Sequence, residues 1–227
     1  MDGAYWEEFL DEGFDLPEGI RRYLEAHKDS SGVLTDIPEV QQLSPAERAM
    51  VESGPELADV FFDIAYDGFS LACVAARRAV DVLPLLSVRE VIVMDEQTPW
   101  YELDFHDAED VVGITDVPGG CVIAQPWGYL AARLLGPATA GTFGYGMFAN
   151  PKSGNQGYIA EDGTVVRGDL HPAFPPHSDQ AGGREILAGF VSDGSAIANC
   201  LVYAGLRPDT TDCLEYPDAW VRLGPTP

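Results

Sequence analysis

Between residues 66 and 170 the chain consists of short runs of Val, Ile, Ala and aromatic residues cut by Gly, Pro or Asp, and this rhythm restricts its fold more than any other feature. "FSLACVAA", "REVIVM", "WYELDF", "DVVGITDV" and "GCVIAQPW" are short and rich in side chains that suit a pleated, half-buried surface. "DVPGGCV", 116–122, carries a Pro-Gly-Gly turn signal. "GYIAEDGTVVRG", 157–168, places Asp162-Gly163 between two such runs, where positive φ closes a tight hairpin. "TAGTFGYGMFA", 139–149, alternates small and large residues, as a strand beneath a close neighbour does. The expected class is α+β: a largely antiparallel sheet with flanking helices and an acidic helical N-terminal region.

The helices announce themselves by caps and spacing. "LPEGIRRYLEAH" puts Leu16, Ile20, Tyr23 and Leu24 near helical spacing, with Pro17 suited to a first turn. In "SPAERAMVESG", Ser44 caps, Pro45 takes the first position, Glu47 completes a capping box and Gly54 is positioned to end the helix. "GYLAARLLG", 128–136, reads as a short helix closed by Gly136. "GREILAGF" and "SAIANCLVYAGL" are two more, the second capped by Ser195 and ended by Gly205. The expected division is an acidic helical region, 1–60, followed by an α+β domain, 61–227. "VLPLLSV", 82–88, and "YLAARLL", 129–135, are expected in the core.

Charge separates the two halves. Residues 1–120 carry 27 Asp and Glu against 7 Lys and Arg, whereas residues 121–227 carry 10 against 6. A chain with net charge −24 disfavours phosphate backbones, because nucleic-acid binding depends on cations replacing counterions. It favours a basic protein partner or mimicry of an anion. With 46% hydrophobic residues the chain has the material for a core rather than the composition of a disordered segment. No apolar run approaches the roughly 18 residues of a membrane span. The acidic start, "MDGAYWEEFLDEGFDLPEG", differs from a basic signal or transit peptide, so a cytoplasmic location is expected.

Little in the sequence reads as chemistry. "GYGMFANPKSGNQGYIAEDG" offers glycines, Lys152 and Ser153, yet the lysine precedes the glycine and strands flank the loop. A phosphate-binding loop needs the reverse order and a helix after it, so a strand connection is expected. "DFHDAEDVV" gathers Asp104, His106, Asp107, Glu109 and Asp110, with Asp104 and His106 expected on one side of a strand. It lacks the fixed ligand rhythm and turn glycine of a calcium loop. His171 and His177 flank "PAFPP" in a proline-stiffened loop. Ser195 lacks the G-x-S-x-G elbow of a nucleophile and serves better as a cap. Cys73, Cys121, Cys200 and Cys213 form no C-x-x-C pair and are expected to be buried small hydrophobes. No cofactor and no metal is expected.

Residues 66–190 resemble an uncharacterised domain family of high-GC bacteria, in the order of their features. That order runs from "YDGFSLACVAARRAVDVLPLL" through "PGGCVIAQPWGY" and the helix "YLAARLLG" to "AGTFGYGMFANPKSGNQGYIAEDGTVVRGDLHPAFP", with "YIAEDG" its most specific piece. "WEEFLDEGFDLPEGIRRYLEAHKDSSG" is similar to the opening helix of bacterial toxin-immunity proteins. That likeness implies a small α+β domain that binds and neutralises a toxin or another effector; neither resemblance supplies catalytic residues.

The functional expectation is a non-catalytic acidic protein of the immunity or antitoxin-like kind, which occludes a basic surface of a toxin or DNA-binding protein. Such a protein needs no contact with nucleic acid or membrane. Trp6, Trp100 and Tyr101, flanked by carboxylates, are candidate anchors, and Asp104, Asp107, Glu109 and Asp110 the candidate acidic face. Two alternatives stay open: a nucleic-acid mimic that inhibits DNA-binding proteins, and an enzyme using the acidic strand and the loop histidines.

Overall fold

In the computed structural model, which describes residues 16–27, 38–62, 64, 68–92, 105–172 and 181–224, the short apolar runs pair into one eight-stranded sheet. The strands are β1 (Ser70–Ala75), β2 (Val88–Ile92), β3 (Val111–Val117), β4 (Gly120–Gln125), β5 (Phe143–Asn150), β6 (Gly154–Glu161), β7 (Thr164–Leu170) and β8 (Ala219–Leu223). Their order is β2-β8-β3-β4-β1-β5-β6-β7, and every neighbouring pair is antiparallel. The expected α+β class is the observed one.

The helices are α1 (Glu18–His27), α2 (Pro45–Phe61), α3 (Ala79–Val82), α4 (Phe105–Ala108), α5 (Leu130–Ala138), α6 (Gly183–Val191), α7 (Ala196–Ala204) and α8 (Asp212–Glu215). They cover both faces of the sheet. Leu71, Cys73, Val122, Ala124, Tyr145 and Met147 face α1, α2, α6 and α7 in one buried cluster. Ala72, Val74, Cys121, Ile123 and Ala160 face α5 and the Val82–Leu86 segment in a second. Strand β1 is therefore buried on both sides, which is why "SLACVA" reads as an unbroken apolar run rather than an alternating one. Residue 60 lies inside α2, and α1 and α2 share the first cluster with the sheet. Among the described residues no helix is long and apolar enough to cross a membrane.

Where caps and turns are set locally, the expectations hold. Ser44 and Glu47 form the capping box of α2, with Ser44 N–H donating to Glu47 Oε2 at 2.6 Å and Glu47 N–H to Ser44 Oγ at 3.3 Å. Asp162 and Gly163 both have positive φ in the β6–β7 hairpin. Ser195 caps α7 and Gly205 ends it in the left-handed region.

Three expectations are corrected. Helix α2 does not end at Gly54 but runs through Gly54 and Pro55 to Phe61. A Cβ on Gly54 would meet Val191 Cγ2 at 2.5 Å and Val191 O at 2.8 Å, so this glycine permits the close crossing of α2 and α6. Gly136 likewise lies within α5, which continues to Ala138 and is closed by Thr139. Of "WYELDF" only Phe105 is among the described residues, and it begins the helical turn Phe105–Ala108. The segment "VLPLLSV" is divided: Val82 and Leu86 are buried, while Leu85 is exposed. The edge strands β2 and β7 both carry register shifts, which spoil a regular ladder for another chain.

Candidate functional site

The register brings several sequence-distant features to one end of the sheet. Ser70 opposes both Gln125 and Phe148, Val111 opposes Arg222, and Asn150 opposes Gly154. Asp110, Gln125, Phe69, Asn150 and Asn155 thus share that end, as does His171, just past the Gly157–Leu170 pair. With strands roughly 4.8 Å apart, β3 and β6 stand about 19 Å from each other. That span is within reach of one protein partner.

The first feature is the acidic turn ahead of β3. Its position depends on Gln125, whose side chain is fully buried at the end of β4. Gln125 Nε2 donates to the carbonyls of Ala108 at 2.9 Å and Glu109 at 3.2 Å. Its Oε1 accepts from the Leu130 N–H at 2.6 Å and from Ser70 Oγ at 3.4 Å, and Ser70 Oγ in turn accepts from the Ala131 N–H at 3.1 Å. One buried amide therefore ties α4, β1 and the start of α5 together, and each of its polar atoms is satisfied. Ala108 is buried beneath the turn, whereas His106 and Glu109 are exposed. Asp110 pairs with Arg222, which also approaches Glu90 at 3.8 Å, so this carboxylate fastens β3 to β8 and β2.

The second feature is a cavity of about 320 Å³ between the end of α2, the start of α7 and the β5–β6 hairpin. Buried Phe61, Phe69, Met147 and Ile197 form its floor, and half-buried Asn150 and Asn155 its polar side. Phe62, 67% exposed, stands on its rim. Ser195 Oγ donates to Phe61 O at 3.2 Å and accepts from the Ala198 N–H at 3.3 Å, which joins α2 to the cap of α7. This hydroxyl is engaged structurally, as the cap reading requires. Asn150 Oδ1 accepts from the Lys152 and Ser153 N–H groups at 2.9 and 3.3 Å, so the lysine-containing loop is a self-bonded turn between strands.

Other chemistry-bearing groups lie away from both features. All four cysteines are buried free thiols; burial pushes Cys121 and Cys213 up to about 12 and holds Cys73 and Cys200 well above the ordinary thiol range. Beneath β7, Glu185 of α6 faces Arg167 at 3.6 Å. Burial raises the Glu185 carboxyl and the Arg167 charge offsets this in part. Next to them Arg184 donates to Tyr203 O at 2.7 Å and lies over the Phe143 ring at 4.5 Å, while burial raises Tyr203 to about 12. The described residues contain no group of three or more His, Cys, Asp or Glu arranged to hold a metal.

Of the residues singled out in the sequence, Glu109 and Asp110 lie at this end of the sheet, and Asp107 belongs to α4 beside them. Trp6, Trp100, Tyr101, Asp104 and His177 lie outside the described residues. His106 sits on the helical turn rather than a strand, and His171 Nδ1 lies 3.2 Å from Asn155 O. Sequence reasoning missed Gln125, the cavity, and the exposed aromatics Phe62, Trp127 and Tyr129. "VFFD" held one available signal: consecutive phenylalanines at a helix end cannot share the inward face, so one must point outward. No protein-family model, no curated protein and no solved structure matches this chain.

Proposed function

We propose that this chain is a non-catalytic, acidic protein-binding protein of the immunity or antitoxin-like kind, which inhibits its target by covering a basic surface. The observation that carries the reading is the Gln125 clamp: a fully buried amide is committed to holding the carbonyls of an exposed acidic turn. A turn that served only solubility would not need fixing, whereas a turn that meets a partner gains from preorganisation. The net charge of −24 supports the same reading, since long-range attraction accelerates encounter with a cationic surface. None of the described residues lining the cavity titrates, which supports binding over proton-transfer chemistry there. The likeness of "WEEFLDEGFDLPEGIRRYLEAHKDSSG" to the opening helix of toxin-immunity proteins points the same way.

The test begins with affinity capture from the cell of origin, eluted in salt steps, followed by kinetics with the purified partner. One dominant basic protein is expected, with an association rate that falls roughly tenfold or more between low and high salt. The doubly neutralised variant Asp107→Asn, Glu109→Gln should slow association severalfold and leave dissociation nearly unchanged. Asp110 is left intact because its pairing with Arg222 holds the sheet. An association rate indifferent both to salt and to these substitutions would overturn the reading.

A further inference from the structure

Helix α1 docks by one side. Ile20, Tyr23, Leu24 and His27 recur at helical spacing and are buried, while Glu18, Arg22 and Glu25 are exposed. Among the described elements it packs mainly against the Pro38–Gln42 turn and α6 rather than against the sheet. The fit is close at two glycines. A Cβ on Gly19 would meet Gln42 O at 2.8 Å, and one on Gly183 would meet Ile20 Cδ1 and Pro17 Cδ, each at 2.8 Å. Tyr23 lies within this contact, its ring T-shaped to Phe190 at 5.9 Å and tilted against His27 at 4.3 Å.

The Tyr23 hydroxyl does not share in that fit. The side chain is fully buried, and its Oη is the one buried side-chain N or O atom among the described residues that has no hydrogen-bond partner. Tyr129 and Tyr158, by contrast, bond to each other through their hydroxyls at 3.1 Å. Burial alone raises the Tyr23 phenol above its ordinary range, as loss of hydration requires. An undocked α1 gives this oxygen to water, so docking forfeits its hydration and the docked state is weakened roughly tenfold. Phenylalanine would fill the same space with no oxygen to desolvate. The hydroxyl therefore loosens one helix, and that helix is held by only a small interface.

We infer that α1 is a detachable strap: it leaves the face of α6 as a unit, before the rest of the fold opens. Its release returns Tyr23 Oη to water and uncovers the side of α6 that carries Gly183 and Phe190, two turns apart. Opening below the global transition needs a segment with a small, self-contained interface and a low free energy of release. The position of α1 supplies the first and the orphaned hydroxyl the second. This motion belongs to the free chain and is independent of the binding reading above.

Hydrogen exchange of the full chain, followed by mass spectrometry of short overlapping peptides, reads α1 separately from the sheet. After correction for intrinsic rates, amides of 18–27 should share one opening rate, at least roughly tenfold faster than that of β1 and β4. Their opening should also depend less on added urea than that of the strands, because a strap exposes less surface than the whole fold. Tyr23→Phe should slow exchange across 18–27 roughly tenfold. Gly183→Ala should speed it, because the new methyl strikes Ile20 and Pro17. Thermal melting by circular dichroism checks that this variant folds, and Gly19→Ala, directed at Gln42 O, takes its place if it does not.

Exchange of 18–27 at the same rate and with the same urea dependence as β1 and β4 would refute the strap, since α1 would then open only with the whole fold. Rates that grade residue by residue from one end of α1 would refute it too, as fraying rather than release of a unit. Faster exchange in Tyr23→Phe would show that the hydroxyl strengthens docking, and that result overturns the cost on which the strap depends.

Discussion

Replacing Gln125 by Leu tests the clamp directly, because the substitution keeps an apolar-compatible volume and deletes every hydrogen bond the amide makes. Four groups lose a partner: the carbonyls of Ala108 and Glu109, the Leu130 N–H and Ser70 Oγ. Two of them have recourse elsewhere. Glu109 is exposed, so its carbonyl can turn to water, and Ser70 Oγ keeps the bond from Ala131 N–H at 3.1 Å. The Ala108 carbonyl and the Leu130 N–H are stranded. At about 1–3 kcal/mol for each unsatisfied buried group, the loss is about 4 kcal/mol. Urea denaturation should show a lower midpoint with unchanged slope. Amide exchange at Asp110 and Val111 should rise by more than the global loss requires, because the turn opens first. Gln125→Glu supplies the contrast: it retains an acceptor for Leu130 but points carboxylate oxygen at two carbonyls. That variant should recover stability at low pH, where a protonated carboxyl again donates. A loss below about 1 kcal/mol for the Leu variant, or no pH dependence for the Glu variant, would refute the clamp.

Three further expectations follow from packing and burial. Gly54→Ala should destabilise by about 1–3 kcal/mol even though alanine favours a helix by about 1 kcal/mol, since the added methyl overpacks against Val191; Val191→Ala in the same chain should recover part of that loss, as a double-mutant cycle in denaturant would measure. Burial raises the Glu185 carboxyl, so the folded chain holds that proton more tightly than the unfolded chain, whose Glu pKa is about 4.3. Its contribution is therefore fully present below that pH and lost as pH rises through the raised value; Glu185→Gln should show a flatter stability profile across this window, and an identical profile would exclude Glu185 as its source. The four thiols should resist a disulfide exchange reagent at pH 8 in the native chain and all react in denaturant, and rapid native labelling of any would contradict the burial of that cysteine.

Features that depend on a few neighbouring residues were open to reading. Ser44, Pro45 and Glu47 specify a helix start because the cap, the proline and the returning carboxylate act within one turn. Asp162-Gly163 specifies a hairpin because only certain residues sit easily at positive φ. Where the same local rules failed, the deciding contact came from far along the chain. Gly54 looked like a stop signal, yet it serves the approach of Val191, 137 positions later. Gly136 stops nothing, because α5 is closed three residues on by Thr139, whose hydroxyl donates back to the Gly136 carbonyl at 2.9 Å. The acidic run from Asp104 looked like a strand in composition, but the buried amide of Gln125 holds its second half as a turn.

By itself, the sequence determined an antiparallel α+β class, the main caps and hairpins, and a strongly anionic chain, because each follows from residue chemistry acting over a few positions or summed over all of them. The tertiary structure decided which features meet. Strand order carries β8, from the end of the chain, between β2 and β3, and seats the 150–154 loop beside helices from residues 45–61 and 196–204. A cavity and a clamped turn are properties of that juxtaposition, since their walls come from segments that no local pattern relates to one another.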